Sequence, residues 1–224
     1  MAVTVLLGKA GSGKSTQCYR EIQACAAAGG KALLLVPDQA TYGAERHLAE
    51  HSEGQGFIGT QVVGFSRLAY KVFQERGLAH ASLSELARKI ILQRLLHKGE
   101  KEFSVLQTAA RQPNFADTAG RFLWECRSFC VTPDALRKAA EAVPNPTLSH
   151  KLEDISRLYG AYQDFLADHF GSADDTMTLL AREVGHYSFL QGAHVWVDGF
   201  QWFTPQQMEI LRQMERVTAQ VTIT

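Results

Sequence analysis

Eight consecutive residues, 8–15 in the order GKAGSGKS, match the spacing G-x-x-x-x-G-K-[ST] at every fixed position. Residues of these types in this order can hold phosphate. Gly8, Gly11 and Gly13 admit backbone angles and close approaches that a Cβ would block. The loop N–H groups, together with the N-terminus of a following helix, then point at phosphate oxygens. Lys14 reaches the terminal phosphates, and the Ser15 hydroxyl is of the kind that meets Mg2+. The expected cradle comprises Gly8, Lys9, Ala10, Gly11, Ser12, Gly13, Lys14, Ser15 and Thr16. A glycine-rich turn that binds nothing is the competing reading. Far along the chain, VWVDG places Asp198 after a β-forming run, where an acid can complete a Mg2+ shell beside Ser15. A turn or helix-capping aspartate before Gly199 is the alternative there.

A loop of this kind needs a strand before it and a helix after it. Residues 3–7 form a short apolar run that reads as a buried strand, and residues 14–28 read as a helix stopped by Gly29 and Gly30. KALLLVP, residues 31–37, is a second buried strand, and 41–51 are helical. TQVVGF is a third strand, followed by a helix over 66–76 that Gly77 ends. Strand and helix alternate, and the strands are continuously apolar. This predicts a parallel sheet with helices on both faces.

From about residue 78 to 191 the pattern is helical. Ser82 with Glu85 reads as a capping box, and 115–129 as an amphipathic helix. Thr132-Pro133 opens another helix. Leu148, Leu152, Ile155, Tyr159, Tyr162 and Leu166 form one stripe of a long helix, and 174–184 form one more. The α/β pattern then returns with a strand at 195–198, a helix at 204–217 and a strand at 220–224. The expected division is an α/β domain of residues 1–77 plus 191–224 with an all-helical insertion at 78–190. Its last strand reaches the final residue, so an incomplete sheet is expected.

Bulk composition excludes little. The 224 residues suffice for a sizeable core, and 46% hydrophobic with 21% charged residues is ordinary for a globular protein. Lysine plus arginine equals aspartate plus glutamate, 23 each, so any basic surface is local. No run is long and apolar enough for a membrane helix, and MAVTVLLGKAG does not read as a signal peptide. The four cysteines, at 18, 25, 126 and 130, form no C-x-x-C pair and read as buried free thiols, with Cys126 and Cys130 on one helix face. A reducing cytoplasm fits that usage.

VDGFQWFTPQQ, residues 197–207, resembles motif II of superfamily 1 DNA helicases, roughly D-E-x-Q-D-x-x-x-x-Q. The likeness places Asp198 at the metal-binding acid and Gln201 and Gln207 at the two glutamines. Gly199 stands where those helicases carry the Glu that activates water, and Trp202 replaces a second acid. LLLVPDQATYGAER resembles the segment after the second strand of such helicases, and VVGFSRLAYKVF the one lying along single-stranded DNA. Together with LLGKAGSGKST, LLVPDQ and GFSRLA, these segments resemble the N-terminal part of the AddB-type subunit of bacterial AddAB, an ATP-dependent helicase/deoxyribonuclease. The resemblance covers the α/β part, and the insertion matches in position and helicity only.

That resemblance implies a RecA-like P-loop NTPase fold with ATP and Mg2+ as cofactors. Ser15 and Asp198 would meet the metal, and Gln201 would face the nucleotide. Phe65, Ser66 and Arg67 would touch single-stranded DNA, although Phe65 reads equally well as core, and an AddA-type helicase/nuclease subunit would be the partner. It implies an iron–sulfur cluster only in a C-terminal part not included in these residues. With Gly199 at the base position, no catalytic residue is assigned, and nucleotide binding with little hydrolysis is expected. Seven residues precede Gly8, and a counterpart to the upstream adenine-contacting Gln of such helicases is not expected among them. A stand-alone P-loop enzyme, such as a nucleoside or small-molecule kinase, is the rival reading.

Other signals are weaker. HLAEH, residues 47–51, matches an inverted zinc-protease pattern with no third ligand and reads as a polar helix face. Arg67, Lys71, Arg76, Arg88, Lys89, Arg94, Lys98 and Lys101 could line a DNA-facing groove or a solvated helix surface. Trp196 reads as core. Trp202 reads as a core neighbour, a stacking surface or a lid.

Overall fold

The computed structural model describes residues 2–50, 59–78, 83–112, 114–170 and 176–224. In chain order its elements are β1 (Ala2–Val5), α1 (Lys14–Ala27), β2 (Ala32–Leu35), α2 (Thr41–Glu50), β3 (Thr60–Val63) and α3 (Phe65–Arg76). Then come α4 (Glu85–Gly99), α5 (Gln107–Ala110), α6 (Phe115–Ser128), α7 (Pro133–Ala142) and α8 (Pro146–Phe170). The chain continues with α9 (Thr176–Glu183), β4 (His194–Val197), α10 (Pro205–Glu215) and β5 (Gln220–Ile223). Two compact units result: Met1–Ala79 with Thr176–Thr224, and His80–Asp175.

The first unit is built on a five-stranded, wholly parallel sheet in the order β1-β5-β4-β2-β3. Alternation along the strands sorts their side chains to two faces. Leu33, Leu35, Val63, Val195, Val197 and Val221 pack with Leu68, Val72, Leu180, Ile210 and Met214 from α3, α9 and α10. Ala32, Leu34, Val36, Val62 and Trp196 pack on the opposite face with Cys18 and Ile22 of α1 and Ala44 and Leu48 of α2. All four residues of β2 are buried, which is why its sequence shows no polar position. Each fully buried leucine there contributes about 2 kcal/mol.

β1 departs from the buried strand expected over 3–7. It ends at Val5, pairs only with β5, and leaves Val3 and Val5 46% and 55% exposed and Leu7 90% exposed. An apolar run alone does not distinguish an edge strand from a central one. The helical boundary also moves. Residues 176–190 were expected in the insertion, but Leu180, Val184 and Leu190 are fully buried in the core of the sheet unit. A helix packed on a sheet has the same 3.6-residue period as one packed on helices.

The second unit is all helical among the described residues. Its core joins Ile91, Leu92 and Leu96 of α4 and Ala116, Ala119 and Leu123 of α6 with Leu136 of α7 and Leu158, Tyr159, Tyr162 and Leu166 of α8. The N-cap of α4 is Ser84, whose hydroxyl accepts the Ala87 N–H at 3.2 Å; Ser82 of the expected capping box lies outside the described residues. Thr132 caps α7 by accepting the Ala135 N–H, with Pro133 in the first turn.

The cysteines do not share one environment. Cys18 and Cys126 are buried and Cys25 is half-buried, but Cys130 is exposed. α6 stops at Ser128, and Cys130 adopts φ 57 in the turn that closes it, with Val131 N–H returning to Cys126 O at 2.8 Å. Burial first, and then the nearby Asp198 and Glu21 carboxylates, push the Cys18 thiol up to about 12. An alkylating reagent at pH 8 is therefore expected to modify Cys130 first and to spare Cys18 in the native chain; peptide mass spectrometry reads the order.

Candidate functional site

Because every strand pair is parallel, all five carboxyl ends lie along one edge of the sheet. Ligands of open α/β sheets bind at that edge. Here it carries the glycine-rich loop after β1, Asp198 after β4 and Thr224 after β5.

The loop enters α1 through Gly13, at φ 88, a left-handed angle that favours glycine. Ser12 N–H donates to Lys9 O at 3.2 Å and closes the loop on itself. The first turn of α1 holds no acidic side chain and no side-chain cap of its own. Lys14 curls back into the loop, and its Nζ donates to Gly8 O at 2.9 Å and Lys9 O at 3.1 Å. The result is an ammonium held by two loop carbonyls beside a helix N-terminus, a placement from which it can turn to an anion with several oxygens.

Ser15 and Asp198, 183 residues apart, meet in this site: Ser15 Oγ donates to Asp198 Oδ1 at 3.1 Å. Asp198 is 7% exposed, and its N–H continues the ladder by donating to Leu35 O at 3.0 Å. One hydroxyl and one carboxylate form a hard oxygen pair. That donor set fits Mg2+, which takes one or two protein oxygens and keeps water and phosphate for the rest. Among the described residues, no group of three or more His, Cys, Asp and Glu is placed to enclose a metal by itself. Gly199 follows at φ 79, and a Cβ built on it would lie 3.5 Å from Pro37 Cδ.

The other predicted residues sit as follows. Gln201 is exposed beyond Gly199. Gln207 is taken up by the fold: it accepts the Thr204 N–H at 3.0 Å while Thr204 Oγ1 accepts the Gln207 N–H at 3.2 Å, a capping box that starts α10. Phe65 is buried and packs edge-on against Phe200, with ring centroids 5.7 Å apart. Ser66 Oγ donates to Asp38 Oδ2 at 2.9 Å, and Arg67 pairs with Glu45. Of the basic residues, Arg76 pairs with Glu183 and Lys89 with Asp117. His47 stacks on Tyr19 at 4.2 Å between centroids, and His51 lies outside the described residues.

Trp196 is core, as its sequence context suggests, yet its ring N–H donates to Glu21 Oε2 at 2.8 Å. Glu21 Oε1 in turn accepts Gln17 Nε2 at 2.9 Å. The strand that presents Asp198 is thereby tied to the helix that follows the loop. Sequence reasoning missed this tie and missed Thr224, because neither carries a motif. Trp202 is exposed.

A family model described as "ADDB, N-terminal" matches residues 5–224. The chain is similar to a protein from Pelotomaculum thermopropionicum named as the B-type subunit of an ATP-dependent helicase/deoxyribonuclease, 38% identical over all of this chain and 20% of that protein. Proteins of the same name from Desulforamulus reducens and Alkaliphilus metalliredigens are 38% and 34% identical, covering 96% and 100% of this chain and 19% and 20% of their own lengths. The chain thus spans about a fifth of the length of these curated relatives. No helix among the described residues is long and apolar enough to cross a membrane.

Proposed function

The chain belongs to the AddB N-terminal family, and from that premise we propose that it is the helicase-like, nucleotide-binding part of a DNA helicase/deoxyribonuclease subunit. In this reading the sheet unit is a RecA-like P-loop NTPase domain, and the helical unit is its insertion. It holds ATP with Mg2+ and turns it over slowly or not at all. The observation that supports it most is the meeting of Ser15 with Asp198 at 3.1 Å beside the Lys14 loop, at the edge where α/β sheets bind ligands.

The residues divide the work by chemistry. The N–H groups of residues 8–16 hold phosphate oxygens, and Lys14 exchanges its two carbonyl acceptors for the terminal phosphates. Ser15 and Asp198 would hold Mg2+, which would supply neutralisation of phosphate charge. Gln201 faces the nucleotide from beyond Gly199. With glycine at position 199, no carboxylate there takes the proton of an attacking water, and lack of a general base costs about 10²–10⁴ in rate. Phe65, Ser66 and Arg67 lie along a single strand of DNA, Phe65 as a buried support and Arg67 after leaving Glu45. That exchange costs little, because an exposed ion pair is worth about 0–1 kcal/mol. The relatives are named as one subunit of an assembly, which supports a partner, and an AddA-type helicase/nuclease subunit in the cytoplasm is the one proposed. Any iron–sulfur cluster would belong to regions of the longer relatives outside this chain.

Titration calorimetry with ATP and Mg2+, paired with phosphate release with and without single-stranded DNA, tests this. Binding with background release is expected. DNA-stimulated turnover would overturn the non-motor reading, and transfer to a nucleoside would favour a kinase.

Gly199 makes a sharper prediction. Installing the missing carboxylate as Gly199→Glu puts an L side chain at φ 79 with its Cβ against Pro37. The variant is expected to lose about 1–2 kcal/mol of stability and to release phosphate no faster than the parent. Denaturant unfolding and the release assay check the two halves separately.

A further inference from the structure

A second hydroxyl reaches Asp198, from the sheet rather than from the loop. Thr224 follows β5, the strand lying between β1, which feeds the loop, and β4, which ends at Asp198. Its backbone N–H donates to Val197 O at 3.0 Å, so the ladder fixes where its side chain starts. Its Oγ1 donates to Asp198 Oδ1 at 2.5 Å, the same oxygen that accepts the Ser15 hydroxyl at 3.1 Å. Asp198 is 7% exposed, and a polar group taken that far from water needs hydrogen-bond partners.

The two donors are not equivalent. Ser15 opens α1 at the end of the loop, and its hydroxyl is the one a Mg2+ ion would engage. Its bond to Asp198 must therefore adjust when a metal–nucleotide complex arrives. Thr224 directly follows a strand paired on both sides and is itself held by its N–H bond to Val197 O, and its bond to Asp198 has no such competing duty.

We infer that Thr224 is a positioning residue for divalent-cation-dependent nucleotide binding: it holds the Asp198 carboxylate in place and aimed while Ser15 changes partner. The inference rests on the nucleotide-binding reading above. It adds a residue to that site which lies outside both the glycine-rich loop and the VDGFQWFTPQQ segment.

The test is ATP titration calorimetry on the whole chain in two buffers, one with Mg2+ and one with EDTA, for the parent, Thr224→Val, Thr224→Ala and Thr224→Ser. Loss of one charge-assisted hydrogen bond predicts about a tenfold weaker affinity in Mg2+ for Val and Ala. Affinity in EDTA stays at the parent value, and Ser keeps the parent value in both buffers. A Val or Ala variant with the parent's ratio of Mg2+ to EDTA affinity overturns the inference. So does a variant that weakens equally in both buffers, because that is what a purely structural threonine would do. Thr224→Ser retains the hydroxyl and removes only a methyl, so a Mg2+-selective loss in Ser also overturns it. A parent chain that binds ATP in neither buffer removes the nucleotide reading itself, and that result is distinct from a parent that binds with indifferent Thr224 variants.

Discussion

Lys14→Ala is expected to weaken ATP binding about a hundredfold or more while leaving the unfolding midpoint of the chain unchanged. The ammonium makes no core contact; its two bonds go to the carbonyls of Gly8 and Lys9 in an exposed loop. Those are bonds a triphosphate can replace with stronger, charge-assisted ones worth about 1.5–3 kcal/mol each. Each 1.4 kcal/mol is about a factor of ten in affinity, so losing two such contacts accounts for the size of the effect. Alanine is also a good residue at the start of a helix, so α1 has no reason to unwind. Titration calorimetry reads the affinity and circular dichroism the fold. Parent-like affinity in the variant would withdraw the phosphate cradle and, with it, the role given to Ser15 and Asp198. Lys14→Arg is a useful companion: it keeps the charge but brings a larger planar group to a site built around a point charge, and intermediate affinity is expected.

Asp154→Ala carries the largest expected cost in stability, about 3–5 kcal/mol. Asp154 lies on α8 and is wholly buried. Its carboxylate accepts three consecutive backbone N–H groups, from Ser104 at 3.0 Å, Val105 at 2.8 Å and Leu106 at 3.0 Å. These donors lie just before α5, where the chain turns. Alanine would leave the three amides facing an apolar gap, at about 1–3 kcal/mol for each donor that cannot relax toward water. Asn is expected to fall between, since one carboxamide oxygen can accept while the NH2 group opposes a donor. Chemical denaturation of the parent, Asn and Ala chains orders the three. Nucleotide affinity measured below the transition is expected to be unaffected, because Asp154 belongs to the helical unit and the cradle to the other. An Ala variant within about 1 kcal/mol of the parent would mean that solvent reaches those amides.

Much of this protein was legible in the sequence, and what was legible is local. Residues 8–15 form one contiguous glycine-rich segment, so the turn there and the helix Lys14–Ala27 that follows it were readable from spacing alone. The apolar runs at β2 and β4 and the start of α10 after Thr204-Pro205 follow from burial and capping rules that act over a few residues. The likeness to AddB-type subunits was carried by such segments and holds for the chain as a whole.

Tertiary structure decided the rest, because periodicity records that a face is buried without recording what buries it. It made β1 an edge strand with Val3 and Val5 exposed, and it put α9 on the sheet rather than in the helical unit. Phe65 packs inward against Phe200, and Gln207, which matches a helicase glutamine in the sequence, caps its own helix. The order β1-β5-β4-β2-β3 is what carries Ser15 and Thr224 to the same oxygen of Asp198. No local pattern encodes that meeting, since strand neighbours are chosen by packing across the whole sheet and the groups concerned are 183 and 26 residues away along the chain.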